Sequence, residues 1–112
     1  MHELSLVMQI VEVVEEQAKL NSVEKIKFVE LEVGKQSGVV VEALEFAFDE
    51  AKKGSLLQNA ELRIQDKEAI ICCDKCKNEY AINELYTPCP NCGSVYGDLI
   101  QGDELKIIRI GF

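Results

Sequence analysis

The sequence predicts an α+β fold: a small helix–strand lobe into which a four-cysteine zinc ribbon is inserted. Three observations lead there. Apolar residues recur at helical spacing in residues 3–20 and 39–53, and at alternating spacing in residues 60–66 and 105–110. Two Cys-x2-Cys pairs, Cys73 with Cys76 and Cys89 with Cys92, lie between those last two strands. The chain has 112 residues, enough for one ordinary domain or two very small ones, and a chain that short needs a staple beyond its core.

The first element is a helix over residues 3–20. Leu4, Val7, Val11, Val14 and Ala18 form its apolar stripe, and Leu6, Ile10 and Val13 widen it. Glu12, Glu15, Glu16 and Lys19 take the other side, and Asn21-Ser22 ends it. Residues 24–34 read as a strand in which Ile26, Phe28 and Glu30 alternate with Lys27, Val29 and Leu31. Apolar side chains on both faces suit a central or covered strand. Gly34 and Gly38 bracket a turn at Lys35-Gln36-Ser37.

The second helix is expected over residues 39–53, with Val40, Ala43, Leu44, Ala47, Phe48 and Ala51 on one face. The basic pair Lys52-Lys53 suits its last turn and Gly54 stops it. Ala60, Leu62 and Ile64 alternate with Glu61, Arg63 and Gln65 as a half-buried strand, and a second strand, Glu68–Cys72, follows closely. Within the cysteine segment, Tyr80, Ile82 and Leu85 suggest one short strand and Tyr96–Gln101 another. The tail alternates Leu105, Ile107 and Arg109 with Lys106, Ile108 and Ile110, a final strand that can return to the first sheet. The expected division is therefore residues 1–68, completed by the returning strand 105–112, and an inserted lobe over residues 69–104.

Composition narrows the function classes. Hydrophobic residues make up 47% of the chain but aromatics only 6%, with no Trp, so the core is aliphatic. Twenty acidic residues against twelve basic ones give a formal charge of −8. That charge opposes binding to nucleic acid or to an anionic membrane, and suits cations or basic partner surfaces. No apolar run is long enough for a membrane-spanning helix. Residues 1–10 lack the basic start and cleavage site of a secretory signal, so a cytoplasmic protein is expected. Thiols stay reduced there, so paired cysteines point to metal before disulfide. Five cysteines, an odd count, point the same way.

Two residues between thiolates let one tight turn aim both sulfurs at a single ion, and two such turns close a tetrahedron. In Cys89-Pro90-Asn91-Cys92-Gly93, Pro90 presets the turn and Gly93 accepts a positive φ. Four thiolates leave no open position, so the ion, zinc, is structural. Iron is chemically compatible with the same ligands. A redox role for the pairs is the remaining alternative, although thioredoxin-type motifs come singly. Cys72, beside a ligand, reads as a small hydrophobe pointing the other way, with the residual option of replacing Cys73. The ribbon carries Lys75 and Lys77 among Asp74, Glu79, Glu84, Asp98, Asp103 and Glu104, and so has no basic stripe for nucleic acid.

His2 is the single histidine. By itself it would be an ordinary terminal residue. Its chemistry is nonetheless specific. The Met1 amine, the His2 backbone nitrogen and the His2 imidazole can close fused chelate rings around Ni(II) or Cu(II), ions that accept a square-planar nitrogen field. Glu3 can add its amide or its carboxylate. No nucleophile–base pair and no open metal position are visible, so no enzymatic activity is expected.

Met1-His2-Glu3-Leu4-Ser5, Val33-Gly34 followed by Ser37, the paired Cys-x2-Cys motifs and Gly102-Asp103-Glu104-Leu105 together resemble the HypA/HybF family of hydrogenase maturation proteins. The resemblance covers essentially the whole chain. It implies a nickel metallochaperone that binds Ni(II) as transient cargo through His2 and delivers it to the large subunit of [NiFe] hydrogenase, acting with the GTPase HypB. It also implies structural Zn(II) on Cys73, Cys76, Cys89 and Cys92. Two departures stand out. Some relatives carry an acidic residue soon after the Gly-x-x-Ser turn, where this chain has Val39-Val40-Val41 and then Glu42; some carry a histidine in the zinc lobe, where this chain has none. The rival reading is a zinc-ribbon interaction adaptor without a nickel role. Exposed strand edges and the returning tail would also permit self-association by segment exchange.

Overall fold

The computed structural model describes residues 3–112. Its elements run α1 (Glu3–Leu20), β1 (Phe28–Gly34), α2 (Val41–Ala51), β2 (Glu61–Lys67), β3 (Ala69–Cys73), β4 (Glu79–Ile82), β5 (Gly97–Gln101) and β6 (Leu105–Gly111). They form two three-stranded sheets, ordered β2-β1-β6 and β4-β3-β5. The chain divides into two compact units. The first comprises the chain up to Glu32, Val39–Gln65 and Lys106–Phe112; the second comprises Val33–Gly38 and Asp66–Leu105.

In the first unit, α1 buries Val7, Ile10, Val11, Val14 and Ala18, one face at helical spacing. The buried arc is narrower than the sequence suggests. Leu4 and Val13 remain 54% and 44% exposed, because a helix packed on one side covers only part of its circumference. The helix ends in a Schellman-type cap. Ser22 takes a positive φ of 56°, its N–H donates to the Lys19 carbonyl, and the Val23 N–H donates to that of Ala18.

β1 starts at Phe28, later than the pattern from residue 24 implies, although Ile26 is buried ahead of it. Its central place in the sheet matches its doubly apolar sequence. Val29, Leu31 and Val33 are at most 2% exposed. On the alternate positions Phe28 carries the Arg63 guanidinium over its ring at 3.9 Å. Glu30 accepts from Arg109 at 2.9 Å and from Gln65 at 3.1 Å, and Glu32 pairs with Lys106 at 3.1 Å. Two nearly buried carboxylates on a central strand are thus tied to both neighbouring strands.

α2 is shorter than the 39–53 expected, because residues beyond Ala51 turn away and Gly54 sits at φ 75°. Leu44, Ala47 and Phe48 are its buried residues. Val40 is its N-cap and is exposed, not part of the buried face. β6 does return beside β1, as the alternating tail suggests.

The second unit is built on β3, which pairs antiparallel with β4 (Ile71 opposite Tyr80) and with β5 (Cys73 opposite Gly97), with an irregularity between Ile70 and Ile71. Leu85 lies outside the strands and is exposed. The buried cluster here is small: Ala69, Cys73, Tyr80, Ile82 and Cys89. A Cβ on Gly34 would run into the Gly102 carbonyl and one on Gly102 into the Ala69 backbone, so neither can carry a side chain without moving the backbone.

Candidate metal centre

The two cysteine turns are built alike. In the first, the Cys73 N–H donates to the Asn78 carbonyl at 2.9 Å and the Lys77 N–H returns to the Cys73 carbonyl at 2.9 Å. In the second, the Cys89 N–H donates to the Ser94 carbonyl at 2.8 Å and the Gly93 N–H returns to the Cys89 carbonyl at 2.8 Å. Each turn then needs a left-handed residue after its second cysteine. Gly93 (φ 79°) fills that place at no steric cost, whereas Lys77 (φ 63°) is a strained occupant. The sequence reading identifies Gly93 but has no signal for Lys77, because a lysine announces no such conformation.

These turns gather the sulfurs of Cys73, Cys76, Cys89 and Cys92 within 4.8 Å of one another. Cys73 and Cys92 Sγ are 3.5 Å apart, and Cys76 and Cys89 Sγ 3.6 Å. A Zn–S bond of about 2.3 Å sets the edge of a tetrahedron at about 3.8 Å, so the cluster has the size of a zinc-type site. Cys72 is not among the four. It lies half-buried on the opposite side of β3, with its Sγ 3.9 Å from the Lys77 carbonyl.

Electrostatics prepare the cluster for a cation. The Cys73 thiol is held below its ordinary value first by the backbone N–H of Cys76, and then, against burial, by that of Lys75. Burial alone would raise Cys89, but the backbone N–H groups of Cys92 and Asn91 and the Asn78 side chain outweigh it and bring the thiol down to about 6. At Cys92 the Ser94 N–H favours the thiolate, yet the crowding sulfurs, Cys73 first, push the thiol up to about 11. Backbone N–H groups thus favour the thiolate at Cys73 and Cys89, while the crowding of sulfurs opposes it at Cys92, a repulsion that a bound cation would relieve. Asn78, whose Nδ2 lies 3.7 Å from Cys89 Sγ, is a supporting residue that spacing rules do not flag.

His2, the sequence's nickel candidate, lies outside the described residues. Its neighbour Glu3 opens α1, and a Glu3 carboxylate oxygen accepts from the Val40 N–H at 3.4 Å, at the start of α2, which has no side-chain cap of its own. Glu42 is exposed in the first turn of α2.

The family model described as "Hydrogenase/urease nickel incorporation, metallochaperone, hypA" matches residues 1–112. The chain belongs to the HypA family. It is 42% identical over 110 residues to the hydrogenase maturation factor HypA of Parabacteroides distasonis, covering 98% of this chain and 96% of that one. With the corresponding factor of Prosthecochloris aestuarii it shares 36% identity over 110 residues, covering 98% and 97%. The solution structure of the Ni metallochaperone HypA from Helicobacter pylori matches with a TM-score of 0.69 at 30% identity, over 99% of this chain and 97% of that chain. A second solution structure of a HypA protein matches with a TM-score of 0.75 at 29% identity, over 99% and 95%. This HypA-family chain is a nickel metallochaperone of hydrogenase maturation and not an enzyme. No helix among its described residues is long and apolar enough to cross a membrane.

Proposed function

We propose that the chain carries Ni(II) as transient cargo on His2, chelated by the Met1 amine, the His2 backbone nitrogen and the His2 imidazole, and that Cys73, Cys76, Cys89 and Cys92 hold a structural Zn(II). The first unit is then the nickel lobe and the second the zinc ribbon. The observation that carries the reading is the whole-length family match joined to a four-sulfur cluster of zinc dimensions in the second unit. The closed thiolate set leaves no exchange position, so the cargo needs a second site; the single histidine supplies the other borderline-soft donor. Release proceeds by ligand exchange, incoming cysteine thiolates displacing the imidazole. The acceptor is the large subunit of [NiFe] hydrogenase, the GTPase HypB assists, and the setting is the cytoplasm.

The test is elemental analysis with Ni(II) titration of untagged protein, wild type beside His2→Ala. One zinc in both proteins with nickel bound only by the wild type supports both assignments. Nickel binding indifferent to His2 removes the nickel half and leaves the zinc-ribbon adaptor. Acidification through the imidazole range is expected to weaken nickel binding, because imidazolium cannot ligate.

A further inference from the structure

The negative charge of this chain is concentrated. Helices α1 and α2 together carry eight carboxylates and one lysine, so the helical pair accounts for nearly all of the net −8. Between them lies an open groove of about 310 Å³. Its floor is apolar, made by Leu4, Met8, Val11 and Ala51, and its rim is acidic, made by Glu12, Glu15 and Glu50. Among the described residues, no Lys or Arg lines it. Leu4 and Met8 are 54% and 58% exposed, which is costly for large apolar side chains in water. They sit one turn apart on the stripe that leads back toward His2, and Leu4 is only two residues from it in sequence.

We propose that this groove is the docking site for a partner protein's apolar segment flanked by Lys or Arg, an amphipathic basic helix being the simplest such element. Charge selects the occupant. A second copy of this chain would bring the same acidic helices to the groove, and an anionic membrane or nucleic acid would be repelled by the same rim. A basic apolar segment fills the floor with aliphatic side chains and neutralises the rim. Docking there holds the partner against the first turn of the helix that follows the nickel-carrying end, so ligand exchange occurs within one complex. The inference rests on the His2 reading for its purpose, but its test does not.

The experiment is an amide-resolved NMR titration of zinc-loaded, full-length protein with a short amphipathic helical peptide of Leu and Lys, beside the same peptide with Glu in place of Lys. Saturable shifts centred on Leu4, Met8, Val11 and Ala51 are expected from the Lys peptide alone. Affinity should fall by about tenfold or more in the double variant Met8→Lys/Glu12→Lys, whose sites are exposed and whose fold should be unchanged. His2→Ala should bind the peptide as the wild type does, so loss of the nickel reading and loss of the docking reading are separately visible. In cells, Met8→Lys/Glu12→Lys should lower the nickel content of hydrogenase while the purified variant still binds nickel. Shifts centred on the second unit, equal affinity for the Glu peptide or for the double variant, or an undiminished hydrogenase nickel content would each overturn the proposal.

Discussion

The two units of this chain solve the same problem with different chemistry. Of the eight largest fully buried side chains, seven belong to the first unit: Phe48, Leu31, Leu44, Leu57, Val7, Val14 and Val29. The eighth is Cys73, in the second unit. There, two of the five buried residues in the cluster are cysteines of the sulfur site, and only Tyr80 and Ile82 are large. Apolar burial holds the first unit in place with interdigitated aliphatic layers. The second has little to bury, and on the proposed zinc reading its ordering free energy comes from the metal. The difference teaches that a small lobe can be inserted in a chain without its own conventional core, provided four ligands are brought together by two local turns.

The comparison is broken most severely by removing the metal. Chelation, or Cys89→Ser, is expected to cost the second unit on the order of 10 kcal/mol. Amide dispersion over residues 69–101 should collapse, while first-unit resonances such as those of Val14 and Leu44 stay in place. Collapse of both units together would show that their stabilities are not separate. The converse cut is Phe48→Ala in the first unit, expected to lose about 3–5 kcal/mol in denaturant melts with metal stoichiometry unchanged.

A smaller effect tests whether polar ties matter beside apolar ones in the first unit. Arg109→Ala leaves the nearly buried Glu30 with Gln65 alone, and should cost about 1 kcal/mol, less at high salt, because Arg109 itself is 66% exposed. The smallest effect compares like with like across the units. Ser22→Gly and Lys77→Gly each relieve a positive φ, and each should stabilise its own unit by about 0.5 kcal/mol, the gain being limited by glycine's freedom in the unfolded chain. The Lys77 change should also slow metal loss to a chelator, since that residue closes a ligand turn; the Ser22 change should not.

Much of this was legible in the residues. The bounds of α1, the return of the last strand and the grouping of Cys73, Cys76, Cys89 and Cys92 follow from periodicity and spacing, because those signals are local or nearly so. What escaped depended on neighbours distant in sequence. Leu4 and Val13 match the apolar pattern but meet no packing partner that covers them. Nothing local in the sequence marks Glu30 and Glu32 for burial, and only the arrival of β6 and β2 gives them Arg109, Lys106 and Gln65 and lets them go inside. Asn78 aims at a sulfur only once β3 and the second cysteine turn face each other. Val40 looked like a core residue of a helix that in fact begins after it.

The strand order β2-β1-β6 also sets a timetable. On the ribosome β1 and β2 emerge early, yet one edge of β1 waits for residues 105–111, which are made only after the whole cysteine segment. Through that interval an apolar strand stands half-paired, the state in which chains most readily associate wrongly. The whole cysteine segment is the loop that must close before β6 can dock. Metal capture compacts that loop while it is still being extended, and since closure cost grows only logarithmically with loop length, the gain is fractions of a kcal/mol. Metal starvation should thus delay completion of the first sheet modestly without altering that sheet's final form, so that for the first unit, unlike the second, scarcity is felt during nascent-chain assembly.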